Sequence, residues 1–319
     1  MSRPKVITLT PDALDRNGLS TTETLAATRL DFLLNGALTV AGSYDRDGIC
    51  AAQTTSGATA LTLNGALGVD FQARGGVYVL IYAGSDNTGV VFNVVGEDKD
   101  RNRTTEAITG PDAGLIVLGS TKFYHITSVT PDGAITDNAE VGTNGYATFA
   151  TPQHVAQYSA GDDTGDTYTV YGEDRYDNEV TDAITGVSAG TSTTQDQNFA
   201  RVDRIASSGA SAGAVESGTD GLCESGWFIL NYRGPDFNVG LFGSVTGATQ
   251  AYTLQYTGTN VLASGFVEND AVVISDGTMT AKTVAFDHNF VNPPVACRLA
   301  ITTAGTGSSI LNIIQAGRS

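Results

Sequence analysis

The chain has 319 residues, 41% of them hydrophobic, and carries 17 Lys and Arg against 34 Asp and Glu, a formal net charge of −17. That balance argues against nucleic acid or an anionic membrane as a partner, because phosphate is repelled over most of the surface. The apolar fraction excludes a disordered chain, and 38 glycines with few lysines disfavour long helices and predict many short strands and turns.

Residues 1–29 differ from the rest. Arg3, Lys5, Arg16 and Arg29 oppose Asp12, Asp15 and Glu23, a local charge of +1, which leaves −18 on the remainder. Pro4 and Pro11 bracket Val6, Ile7 and Leu9 as an extended stretch. Ser20 with Glu23 has capping-box spacing and predicts a short helix over Thr21–Arg29. The segment reads as an N-terminal arm. Its early apolar residues gain most by pairing with a foreign sheet edge, so Arg3, Lys5, Val6, Ile7, Leu9, Arg16 and Arg29 are the candidate partner-contact residues.

Residues 30–76 read as a small β segment. LNGAL occurs at Leu34–Leu38 and again at Leu63–Leu67, and Asn-Gly between apolar residues predicts hairpin turns. Asp47-Gly48 predicts another turn.

The main feature is a duplication. Residues 77–145 repeat at 153–221 with a constant offset of 76, no gap and 24 identities, so one unit stands twice. TVYGEDRYDNEVTDAITG answers NVVGEDKDRNRTTEAITG. Alternation at Val90–Val95 and Tyr168–Tyr171 predicts strands. Phe123, Ile126 and Val129, with Phe199, Val202 and Ile205, are apolar at spacing three, which fits either a helical turn or a strand broken by a bulge. Residues 222–319 predict a further sandwich, with strands at Trp227–Leu230, Asn238–Val245, Ala251–Thr257, Ala271–Ser275, Lys282–Phe286, Ala296–Thr302 and Ser309–Gln315. The expected fold is all-β: tandem antiparallel β-sandwich-like modules with an extended N-terminal arm.

No run of about 18 apolar residues predicts a membrane span, and the first residues lack the apolar core of a signal peptide, so folding in a cytosol is expected. Cys50, Cys223 and Cys297 are too few and too dispersed for a disulfide framework or a zinc site, and read as buried reduced thiols. No cofactor is expected.

Candidate chemistry is sparse. Gly209–Gly213 matches G-x-S-x-G around Ser211, but AVESGTDG after it does not form the helix a nucleophile elbow needs. Asp98, Asp100 and Asn102 have calcium-loop spacing without the sixth-position glycine or twelfth-position glutamate, and Tyr176 replaces Asp100 in the second copy. They read as turn residues. Glu97–Asp98 and Glu173–Asp174 are adjacent pairs that strand geometry sends to opposite faces. His125, His154 and His288 lie at no metal-ligand spacing. Trp227, Tyr252 and Tyr256 fit a sugar-stacking platform or a core, the core being the commoner use.

The segment WFILNYRGPDFNVGLFGSVTGATQAYTLQYT, with FDHNFVNPPVACRLAITTAGTGSSILNIIQAG, resembles a β domain of virion proteins of tailed bacteriophages. The shared elements are the strand begun by Trp227, Pro235–Leu241, Tyr252–Thr257, Pro294–Leu299 and Leu311–Gly317. Asp236 is inserted after Pro235, and Cys297 stands directly before Arg298. The duplicated GED unit is similar to β modules of phage head and tail proteins. The resemblance implies a non-enzymatic structural protein of the virion, assembled in host cytoplasm, with a capsid decoration or cement role first and a neck, tail or spike role second. It implies other virion proteins, the major capsid protein foremost, and further copies of the chain as partners. A carbohydrate-binding or depolymerase protein is the reading from a different class.

Overall fold

The computed structural model describes residues 5–9, 19–20, 24–26, 29, 31–34, 44–193, 197–230, 239–246, 249–290, 294–305 and 307–315. The protein is all-β, with 60% strand and 2% helix, in several antiparallel sheets. The helix consists of two 3-10 turns, Gln72–Arg74 and Glu268–Asp270.

The first repeat is a sandwich. One sheet orders the strands Asp45–Thr55, Ile135–Thr143, Val77–Ala83 and Ile116–Phe123. The other orders Arg103–Thr109, Val91–Glu97 and His125–Pro131. Alternation places Val79 and Ile81 of the first sheet against Phe92, Val94, Ile126 and Val129 of the second, all fully buried in one core.

The second repeat has the same pairings at the same offset. Val91↔Thr109 and Glu97↔Arg103 become Thr167↔Thr185 and Glu173↔Glu179. Val79↔Thr143 and Ala83↔Ala139 become Val155↔Thr219 and Ser159↔Val215. The bulge falls between Val95 and Gly96 in one copy and between Tyr171 and Gly172 in the other. It absorbs the extra residue between Ile126 and Val129, and Phe123 reaches the same core from the end of Ile116–Phe123 in the other sheet. Glycine recurs at the bulge because a Cβ there would strike the carbonyl of His125 or Arg201. The copies differ in one pairing. Val77–Ala83 and Ile116–Phe123 are in register Tyr82↔Ile116, whereas Tyr158 faces Thr191, one residue away from the offset.

The second copy is not a separate sandwich. Strand Ala147–Asp162 begins six residues before the repeat and pairs Thr148 with Arg201, and Cys223 pairs with Ile301 of the C-terminal region. One ten-stranded sheet therefore runs from Glu179–Thr185 through the second repeat to Ala296–Thr303, Ala251–Thr257 and Ile274–Ser275. A second C-terminal sheet orders Lys5–Leu9, Ser308–Gln315, Val239–Thr246 and Phe286–Phe290. Leu241, Leu311 and Ile313 of this sheet share a core with Tyr252, Leu254, Leu299 and Ile301 of the other.

Three expectations are corrected. Within residues 1–29, the described residues lie on the body. Lys5–Leu9 adds to the chain's own C-terminal strand, Lys5 facing Ile313 and Leu9 facing Ser309. The edge of that strand offers unpaired amides and carbonyls closer at hand than any foreign sheet. Leu19 and Leu25 are buried in the core of the second repeat with Phe32 and Leu34. The helix over Thr21–Arg29 is also absent from its described residues. Arg29 N donates to Ala26 O at 2.8 Å in a tight turn, because Leu25 is drawn into the core and Leu25 N and O bond to Ser211.

The second correction concerns 30–76, where Asp45–Thr55 is the strand and 56–76 form a loop packed on it. Asp47-Gly48 makes a bulge inside that strand, the six residues Asp45 to Cys50 opposing the three from Thr143 to Val141. Asn64-Gly65 makes no hairpin. Gly65 N donates to Ile49 O at 2.9 Å, and Asn64 Oδ1 accepts Ala51 N at 3.0 Å, so the pair docks on a strand already formed. The copy of LNGAL at Leu34–Leu38 lies largely outside the described residues. In the third correction, the strand expected at Lys282–Phe286 stands at Phe286–Phe290, paired with Val239–Gly243. Lys282 makes a single bridge to Tyr252 after Ala281 takes a positive φ of 49°.

The described residues among the first 76 thus complete the modules in reverse order. Lys5–Leu9 completes the C-terminal sheet. Leu19–Leu34 complete the second repeat, where Leu19 N and Ser20 N donate to Ser217 O at 2.9 and 3.1 Å and Phe32 N donates to Ile205 O at 2.9 Å. Residues 44–76 complete the first repeat, with Leu61 and Phe71 in its core.

Candidate functional site

The residues singled out for catalysis are engaged in structure. Ser211 Oγ donates to Gly213 O at 2.8 Å and accepts Leu25 N at 2.9 Å, which makes this serine a clasp on the N-terminal segment. His288 Nε2 pairs with Asp276 at 3.0 Å, and His154 Nδ1 lies 3.5 Å from Asp220. Among the described residues, no three His, Cys, Asp or Glu side chains gather as a metal site. No helix among them is long and apolar enough to cross a membrane.

The two GED turns are hairpin turns. Asp98 Oδ1 accepts the amides of Asp100 and Asn102 at 2.8 Å, and Asp98 Oδ2 accepts Asn102 Nδ2 at 3.1 Å. Asp174 repeats the pattern with Tyr176 and Asn178. Both turns use a positive φ at the equivalent residue, 64° at Arg101 and 60° at Asp177. The Asp98 and Asp174 carboxylates are thus spent on their own turns.

Trp227 and Tyr252 are buried and form no open strip. The guanidinium of Arg298 lies 4.6 Å from the Trp227 ring, and Tyr252 sits in the C-terminal core. Cys50, Cys223 and Cys297 are free and buried, and burial pushes the Cys50 and Cys297 thiols up to about 12.

What the structure does assemble is two buried ionic junctions. The first ties the repeats together. Lys122 Nζ of the first copy donates to Glu173 at 2.8 Å and Asp203 at 2.7 Å in the second. Arg201 pairs with Asp203 and donates to the carbonyls of Arg74 and Gly76. Arg204 holds Asp31 at 2.6 Å, its guanidinium 5.6 and 5.4 Å from the rings of Tyr78 and Tyr171. Burial alone would lower the Lys122 ammonium, but Asp203 and Glu173 outweigh it and hold its pKa above the usual lysine value. Burial pushes Asp203 up against the pull of Arg201 and Lys122.

The second junction ties the second repeat to the C-terminal module. Arg298 donates to Glu224, Glu268 and Gln255 at 3.1, 3.1 and 2.7 Å. Arg175 holds the other oxygen of Glu268 at 3.1 Å and donates to the Glu224 carbonyl. Asn178 Nδ2 donates to Phe266 O at 3.1 Å, and Tyr176 packs edge-on against Phe266 at 5.8 Å. Burial raises the Glu268 pKa against the two arginines. A guanidinium with three side-chain hydrogen bonds, held between two carboxylates, is a geometry in which a buried charge is compensated.

Sequence reasoning missed these residues. Arg298 stood inside the PVACRL strand, but neighbouring sequence gives no sign of a partner 74 residues away in Glu224. One signal was available. The offset of 76 sets Lys122, His125, Thr127 and Ser128 opposite Asn198, Arg201, Asp203 and Arg204, so four junction positions differ within an otherwise similar stretch. Of the proposed partner-contact residues, Arg3 and Arg16 lie outside the described residues. Lys5, Val6, Ile7 and Leu9 form the added strand, and Arg29 Nη1 donates to Asp31 O at 3.1 Å. Compared with known proteins, the chain matches no family model and no curated sequence.

Proposed function

We propose that the protein is a non-enzymatic structural component of a tailed-phage particle, acting as a decoration or cement protein on the head. The observation that carries the reading is the use of its ionisable groups. Lys122, Arg175, Arg201, Glu268 and Arg298 are spent on fastening β modules to one another, which suits a protein whose task is to persist as a body. The resemblance of the C-terminal strands to virion β domains supports the same role. An acidic exterior of −17 keeps the chain off packaged DNA and suits an outward position.

Mass spectrometry of gradient-purified particles from the producing strain tests this, with full heads and free tails separated. The reading expects the chain on heads in many copies. Its recovery on tails alone moves it to the neck, tail or spike, and its absence from all particles overturns the proposal.

A further inference from the structure

A groove of 470 Å³ runs beside the N-terminal strand. Lys5, Val6, Ile7 and Thr8 all border it. Successive side chains of a strand point to opposite faces, so one groove that touches four in a row follows the strand's edge. Lys5–Leu9 is the terminal strand of its sheet, paired on one side with Ser309–Ile313 and, among the described residues, with no strand on the other. The facing wall comes from Pro152 of the ten-stranded sheet, which has no amide hydrogen, and from Gly226 and Trp227 in the connection between Val215–Glu224 and Phe228–Ile229.

The charge of the groove is opposite to that of the protein. Among the described residues, Lys5 and Arg175 line it and no carboxylate does, in a chain where acids outnumber bases 34 to 17; Arg175 is already paired with Glu268, so Lys5 carries the selection. Val6 is 51% exposed and offers an apolar contact beside the cation.

We propose that this groove is a strand-acceptor site, to whose free edge an extended, carboxylate-bearing segment of a partner protein adds. Backbone hydrogen bonds to Lys5–Leu9 supply affinity, Val6 and Trp227 supply apolar contact, and Lys5 selects acidic side chains. The inference is independent of the virion reading, since it rests on the groove alone.

The test uses the full chain and a random peptide library selected against it. The expected binders alternate apolar residues with Asp or Glu. Because Trp227 is the only tryptophan, their binding should change the intrinsic fluorescence. Lys5→Glu should weaken binding roughly five- to tenfold, since an exposed attraction becomes a repulsion. Raising salt should weaken binding to the unaltered chain, a check that needs no variant. Basic or random selected sequences overturn the proposal. So do acidic peptides that leave the fluorescence unmoved, or that bind the Lys5→Glu chain equally well.

Discussion

The two repeats are one unit folded in two settings. At the hairpin Glu97–Asn102, Lys99 and Asp100 face water. At Glu173–Asn178, Arg175 and Tyr176 stand in those places and the turn is clamped onto Glu268 and Phe266. The core shows the same divergence. Ala83, Asn87 and Phe92 of the first copy correspond to Ser159, Asp163 and Tyr168 of the second. There Asp163 accepts the Ser159 and Tyr168 hydroxyls and the Ala212 amide, whereas Asn87 Nδ2 is buried without a partner. A duplicated module keeps its bulge glycine and the register of all but one strand pair, and changes both where it meets a neighbour and in part of its core.

The largest effect that separates the copies should come from the N-terminal segment. Deleting residues 1–29 removes Leu19 and Leu25 from the second core, each worth about 2–5 kcal/mol on truncation. Chemical denaturation should show the second repeat and the C-terminal module unfolding early while the first repeat holds. Next in size is Arg298→Ala. It leaves Glu224 and Glu268 buried with one cation fewer, a cost of about 3–5 kcal/mol in urea titration.

Tyr168→Phe removes one buried donor from Asp163 and should cost about 1–3 kcal/mol. Its first-copy counterpart, Phe92, already lacks the hydroxyl. Asp163 also sharpens the comparison through pH. Burial pushes its carboxyl up, but the Ala212 amide and the two hydroxyls outweigh that and hold it below the ordinary 3.8. A lowered folded value means stability that is present above 3.8 and lost as pH falls through the folded value. Acid titration of Asp163→Asn should therefore show a shallower loss below 3.8 than the unaltered chain. The smallest contrast is at the turns. Asp174→Ala opens a buried Asx turn and should lower the melting temperature, and Asp98→Ala at the exposed turn should lower it less.

Much of the β architecture was legible because it is written in period two and in repetition. The alternation at Val91–Glu97 and the offset of 76 locate strands whose burial depends on local pattern. The N-terminal segment was not legible in that way. Val6, Ile7, Leu19 and Leu25 are apolar residues without periodicity, and their partners lie as far off as Asn312 and Ser217. Asn64-Gly65 misled for a related reason, since a dipeptide suited to a hairpin is equally suited to close backbone approach, here against Gly48. The ionic junctions were least legible, because pairing across as many as 173 residues leaves no trace in spacing.

The central claim is that the N-terminal segment is an internal strap completing the modules in reverse order. Hydrogen exchange measured by mass spectrometry on the full chain and on the chain lacking residues 1–29 tests it directly. The account predicts that Phe199–Ser207 and Ser308–Gln315 lose protection on deletion while Val91–Glu97 keeps it. Equal protection of all three strands in both chains would contradict it.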